Sequence, residues 1–275
     1  MSGLNLRDPA LVARCSASGP SEEPELSDWV SRVQGRGSDV TGAGVQTAYA
    51  NFLIGLKIDS LLPLAYRIGA YSGDGLVALE APLYKAAGAT IDTLTGFVSG
   101  DYSATGLVGG TGKRLRTGLD FSMVASINDF SMGLYARTST SGCVQMGCAT
   151  SGDTTRGCFI EHSAANVGAS MWDTASEIVV SDASGVGFYL ASRVASNDLR
   201  LYKNGSQIGS TATSPGNNSN LFEIWVHDAC LSNAGWAPSG QSYSFYWIGK
   251  GLNNTQQGNL RSRVQTLQTA LSRQV

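Results

Sequence analysis

In the run LFEIWVHDA, residues 221–229, an acid, an indole and an imidazole stand at every second position. A strand turns alternate residues to opposite faces, so Phe222, Ile224 and Val226 would share one face and Glu223, Trp225 and His227 the other. The apolar set reads as core. On the second face an indole can stack on a sugar ring while the carboxylate and imidazole beside it bond hydroxyls. The other reading is that Trp225 is covered, by a helix or by a neighbouring subunit. Trp236 lies in SNAGWAPSGQS, an aromatic among small polar residues, and reads either as a contact for a ligand or partner or as a plug at the end of the fold. Glu223, Trp225, His227 and Trp236 are the candidate ligand-binding residues.

Other combinations of reactive residues fail on spacing. Cys143, Cys148, Cys158 and His162 follow a C-x4-C-x9-C-x3-H pattern that superficially suits zinc. In an extended chain the odd offset sends Cys143 and Cys148 to opposite faces, and four residues of strand hold Cys158 and His162 about 13 Å apart. Only a tight loop would bring the four together. GLVGGTGKRL, residues 106–115, has the glycines of a phosphate loop, but Leu107 stands where the first glycine is needed and Arg114 where Ser or Thr would hold magnesium. A turn into a strand is the simpler reading. Neither His162 nor His227 has a Gly-x-Ser-x-Gly elbow nearby. Sandwich glucanases carry alternating carboxylates on one strand, whereas Glu161 and Glu223 are each alone in theirs. The expectation is a protein without catalytic residues, metal ligands or cofactor.

Composition narrows the class. Only 15% of the 275 residues are charged, and 34 are glycine, about 12% against a usual ~7%. That balance favours strands and turns. A net charge of −2 gives a phosphate backbone no attractive field, which argues against nucleic acid. No run reaches the 18 apolar residues of a membrane span, and the opening MSGLNLRDPALVARCSASG lacks the apolar stretch of a secretion signal. Five cysteines, Cys15 among them, form no dense even framework and read as mostly reduced, buried thiols.

The elements that must position these residues follow from periodicity. Leu26, Trp29, Val30 and Val33 mark one helical face behind a cluster of acids. After GRGSDVTGAG, Val45, Ala48, Tyr49, Phe52, Leu53 and Leu56 mark a second helix. Asp59 or Ser60 would cap a third, carrying Leu61, Leu62, Leu64, Tyr66 and Ile68, with Pro63 in its first turn. Period-two alternation begins near 107, in Leu119, Phe121, Met123 and Ala125 and again in Phe130, Met132, Leu134 and Ala136. Further strands are expected at 157–162, 176–181, 186–191, 199–203, 207–211, 221–228 and 243–249. Tyr243, Phe245 and Trp247 should share a core face of the last. Asn204-Gly205 supplies a tight hairpin turn. Leu260, Val264, Leu267 and Leu271 mark a C-terminal helix capped by Asn254 or Thr255, packed on the rest of the chain rather than into a trimeric seam. The organisation expected is an arm and helical subdomain over 1–70, a connecting segment over 71–106, a sandwich over 107–253 and a helix over 254–275.

Two sets of segments carry a resemblance. LRLYKNGSQIGS, followed by YSFYWIGKGLNNTQQGNLRSRVQTLQTAL, resembles the last part of concanavalin A-like, or laminin G-like, jelly-roll domains. TAYANFLIGLKIDSLLPLAYRIGAYSGDGLVALEAPL and FVSGDYSATGLVGGTGKRLRTGL are similar to a family of tailed-phage and prophage proteins with a helical lead-in to that fold. The resemblance spans roughly 25–275. It implies a mainly β fold, an antiparallel jelly-roll sandwich, and a non-enzymatic bacteriophage virion protein of the tail, fibre or head-decoration class, made in the bacterial cytoplasm. Its partners would be other copies of itself, other virion proteins and a host-surface glycan. A glycan-binding adhesin or a polysaccharide depolymerase are the alternatives.

Overall fold

The structure, a computed structural model, describes residues 23–39, 42–72, 75–120, 123, 126–150, 153–172, 177–215 and 222–275. The arm before Glu23, with Cys15, lies outside them, as do Phe121 and Ala125 of the expected alternation.

The first two helices form as their patterns require. α1, Pro24–Gln34, has proline in its first turn and Glu25 at the favourable N-terminal end, and buries Leu26, Trp29 and Val33. α2, Ala43–Ile58, buries Tyr49, Phe52, Leu53 and Leu56. The third expected helix is replaced by a strand. Leu62–Leu64 form a single 3₁₀ turn around Pro63, and Ala65–Ala70 is β1. Ser60, at φ +56°, ends the helical path, and β1 then finds hydrogen-bonded neighbours on both sides. Short apolar runs do not distinguish the two states locally, so the available ladder decides.

The fold is mainly β, two sheets packed as an antiparallel jelly-roll sandwich. One sheet, called A, runs β14 (Ser206–Thr211), β13 (Asp198–Lys203), β12 (Gly187–Ala195), β7 (Phe130–Ala136), β18 (Ser242–Gly249), β1 and β2 (Tyr84–Lys85). β5 (Gly106–Val108) continues along β18 beside β1 and pairs with β4 (Tyr102–Ser103). The other, B, runs β11 (Ile178–Ser181), β10 (Asn166–Met171), β9 (Asp153–Ser163), β8 (Cys143–Thr150), β15 (Glu223–Val226), β6 (Arg114–Asp120) and β3 (Thr93–Thr95). β16 (Ala229–Leu231) pairs in parallel with β8 and antiparallel with β17 (Ala234–Gly235). The sandwich therefore takes in β1 to β5, ahead of the expected start at 107. The β13–β14 hairpin turns at Asn204 and Gly205, both at positive φ, 51° and 86°.

Alternation assigns the layers. Phe130, Met132, Leu134 and Ala136 point between the sheets, against Met146, Ile160, Val167, Ile224 and Val226. The other face of sheet A carries Tyr135, Phe188, Leu190, Phe245 and Trp247, covered by α1, α2 and α3 (Asn254–Ala270). Tyr243 does not share a face with Phe245 and Trp247. A register shift between Tyr243 and Phe245 leaves Tyr243 in the inter-sheet core and turns the other two toward the helices.

Leu260, Val264 and Leu267 of α3 are buried in this helical layer, the packing the pattern predicts. The cap falls one residue early. Asn253 accepts from the Gln256 N–H at 3.0 Å while Gln256 accepts from the Asn253 N–H, also at 3.0 Å. Arg263 holds Asp59 at the end of α2 through two bonds of 2.7 and 3.1 Å.

Candidate functional site

With helices on sheet A, the outer face of sheet B is the broad sheet surface on which, among the described residues, no helix packs. Glu223 and Trp225 reach that face from β15, paired in register with Asp120 and Arg116 of β6. Trp225 is only 1% exposed. Its cover is neither helix nor subunit. The Arg114 guanidinium carbon lies 4.6 Å from the centre of its ring and that of Arg116 5.8 Å, an arrangement in which a cation faces the negative side of the indole. The indole N–H donates to Glu223 Oε2 at 3.1 Å, and Glu223 also takes Arg116 at 2.8 Å and the backbone N–H of Gly118. An occupied ring face and an occupied carboxylate correct the expectation that Trp225 and Glu223 present themselves to a sugar.

His227 departs further. β15 ends at Val226, and His227, at φ +70°, turns its ring into the interior between Tyr71, Phe97 and Tyr243. It is fully buried, so it shares no surface with Trp225. Neither ring nitrogen has a hydrogen-bond partner among the described residues. Burial first, and the charge of Lys113 second, lower its pKa to about 3.

Trp236 is the candidate left accessible, 38% exposed in the segment after β17. The β16–β17 turn uses Ser232 and Asn233 at φ 49° and 68°. Asp228 Oδ1 then accepts three backbone N–H groups, of Ala229 at 2.8 Å, Trp236 at 3.1 Å and Ala237 at 2.9 Å. One buried carboxylate thus fixes the backbone that carries the indole, and Phe159 of β9 meets it edge-on at 6.0 Å. Asp228 is visible in the sequence as the residue after His227, but its service to a loop eight residues away is not.

Pairing across strands also creates neighbours that spacing along one strand hides. Glu161 of β9 and Glu177, just before β11, meet over Gly168 of β10: a side-chain carbon there would stand 3.0 Å from Glu177 Oε1 and 3.2 Å from Glu161 Oε1. Burial raises the pKa of both carboxyls, and the charge of Glu177 adds to the rise at Glu161. Cys143 faces His162, and Cys148 faces Cys158, across the β8–β9 ladder. The two pairs sit at opposite ends of β8, and both His162 nitrogens lie 2.9 Å from carbonyls, those of Thr140 and Asp182. GLVGGTGKRL forms β5, a turn and the start of β6, as the simpler reading has it.

No protein-family model matches the chain, and no curated protein matches it in sequence. In fold it is similar to domain 4 of AbnA, a GH43 extracellular arabinanase from Geobacillus stearothermophilus, solved in complex with arabinotriose. That match has a TM-score of 0.52 and 13% identity, over 72% of this chain and 98% of that one. It is also similar to the binding domain of botulinum neurotoxin serotype D, with a TM-score of 0.50 and 9% identity, over 74% of this chain and 52% of that one. At such identities the likeness is one of fold alone, a β-sandwich.

Proposed function

We propose that the chain is a non-catalytic glycan-binding sandwich that takes a sugar on the open face of sheet B, with Trp236 as the stacking platform. The observation that carries this reading is the state of the indole. Trp236 is exposed while its backbone is pinned by Asp228 and its ring is propped by Phe159, so stacking a sugar on it orders little that is not already ordered. Fold alone transfers no ligand. A sandwich of similar architecture solved with arabinotriose nevertheless supports the choice of ligand class.

The test is titration calorimetry of the full chain and of Trp236→Ala against a panel of bacterial surface oligosaccharides. The variant should lose at least ten-fold in affinity with an unchanged melting temperature, and neither protein should release reducing ends. Equal binding by the two proteins would remove Trp236 from the site, and glycan cleavage would replace a binding module with an enzyme.

The sequence resemblance favours a setting for this activity, display on a tailed-phage particle in contact with other copies and other virion proteins. Many copies on one particle would turn a weak single-site affinity into firm attachment to a host-surface glycan. Antibody labelling of intact particles decides this, since unlabelled particles would leave the module without a virion role.

A further inference from the structure

The geometry points to Arg114 as the anchor for a carboxylate on the bound sugar, so that the ligand class is an acidic glycan; this rests on the glycan-binding reading above. Arg114 and Arg116 project from the same face of β6, yet their states differ. Arg116 is neutralised by Glu223, at 2.9 Å through Nε and 2.8 Å through Nη2. Arg114 is half-buried with its guanidinium stacked over Trp225, and among the described residues nothing accepts a hydrogen bond from it; its Nε is enclosed without a partner. A guanidinium is charged at every accessible pH, and leaving its donors unmatched in a partly desolvated place is unfavourable.

A carboxylate close in space does not resolve this. Asp228 is buried with its Oδ1 committed to three backbone N–H groups, and burial raises its pKa. Its Oδ2 stands against the place a side-chain carbon on Gly235 would take, on the same side as Arg114 Nη1, without closing an ion pair, so Arg114 acts on it only as a charge. Glu223 is likewise engaged, by Arg116, by Trp225 and by the Gly118 N–H. The face therefore holds an arginine fork that, among the described residues, closes no hydrogen bond, beside one acid that is engaged and another, Asp228, whose Oδ2 faces it without an ion pair.

Position supplies the link to the sugar. Arg114 Nη1 lies 3.2 Å from where a side-chain carbon on Gly235 would stand, and Gly235 is the residue before Trp236. The fork thus lies beside the backbone one residue before the exposed indole, whose ring leans toward Phe159 of β9, so a ligand of more than one sugar unit can span the two. A pyranose stacked on Trp236 can direct a ring or exocyclic carboxylate onto Arg114, whose planar donors match two carboxylate oxygens at once. A neutral sugar would satisfy the fork only with single hydroxyl bonds and would leave it without a bidentate partner.

The experiment uses the full chain and oligosaccharides bearing glucuronate, galacturonate or sialic acid, each beside its carboxyl-reduced counterpart. At least one acidic ligand should bind ten-fold or more tightly than its reduced form, and its affinity should fall as salt rises. Arg114→Gln should abolish that preference while residual binding of the reduced form persists. Arg114→Lys, which keeps the charge and loses the fork, should restore part of the preference, and circular dichroism confirms that each variant folds. If reduced and acidic forms bind alike, or if Arg114→Gln leaves the preference intact while Trp236→Ala abolishes binding, the carboxylate anchor is overturned and the glycan site stands. If the folded protein binds no member of the panel, both readings fall.

Discussion

A histidine whose ring nitrogens find no hydrogen-bond partner among the described residues, closed in by aromatic rings, commits a protein to a particular response to acid. His227 has lost its water, and its lowered pKa, about 3, reflects burial first and Lys113 second. In the unfolded chain an ordinary histidine takes a proton near pH 6.5. Between those two values the unfolded state binds a proton that the folded state does not, so the stability present above pH 6.5 drains away as the pH falls. The loss attributable to this group between pH 7 and pH 5 is about 2 kcal/mol. His227→Asn keeps a residue that tolerates positive φ and removes the titration. Urea unfolding at the two pH values should show the variant losing about 2 kcal/mol less than the parent, and equal losses would mean that His227 is already solvated. The same residue shows where single-residue reading stops. Alternation correctly sends Trp225 away from Ile224 and Val226, but it carries no information on Arg114 and Arg116, which come from another strand to cover the ring. It also cannot foresee the positive φ that ends the alternation at His227. The exposure of Trp236 was legible for a different reason, because a large aromatic in a run of small polar residues has little local company to bury it.

Between elements, the most consequential polar contact is one that no spacing announces. Arg67 of β1 and Asp92, just before β3, are both fully buried and meet at 2.9 Å. Arg67 also donates to the carbonyls of Ala87 and Ala89, and the Tyr246 hydroxyl of β18 donates to the other oxygen of Asp92. Sheet A is thereby tied to the segment that enters sheet B. Removing one charge of such a pair strands the other away from water, which costs about 3–5 kcal/mol, whereas replacing both with apolar residues of similar volume can be neutral. Asp92→Asn should therefore lower the unfolding free energy obtained from urea titration by about 3–5 kcal/mol, and Arg67→Met with Asp92→Leu should recover much of it. A single variant within 1 kcal/mol of the parent would show that Arg67 finds another partner. Element type was legible where one period persisted over several turns or a full hairpin, as in α2, β7, the Asn204-Gly205 turn and α3. It failed at β1, where the apolar run is short and the decision belongs to β18. It failed again inside β18, where the bulge reverses faces midway.

For the molecule as a whole, layers decide which surface is free to work. Among the described residues the helices α1, α2 and α3 all pack on the apolar outer face of sheet A, which places the proposed sugar site, on the outer face of sheet B, on the side away from them. The C-terminal helix is thus part of the fold rather than an appendage, and its apolar stripe is already occupied, leaving Leu260, Val264 and Leu267 no role in a seam between copies. Beyond the helix, Arg273 is buried and donates to the Tyr71 carbonyl at 2.6 Å and to Ser72 Oγ at 3.0 Å, while the Val275 N–H donates to the Tyr135 hydroxyl at 3.0 Å. Burying three aliphatic side chains contributes on the order of 5–9 kcal/mol before entropy is counted. That is comparable to the whole net stability of a domain, about 5–15 kcal/mol. Loss of the helix would also uncover Phe245 and Trp247. A chain ended after Asn253 should lose its cooperative thermal transition and its near-ultraviolet dichroism and should bind a hydrophobic dye, even though every strand of the sandwich is still encoded. A truncated chain that melts in one sharp step within a few degrees of the parent would show that the two sheets are self-sufficient and that the helical layer serves some purpose other than holding the fold.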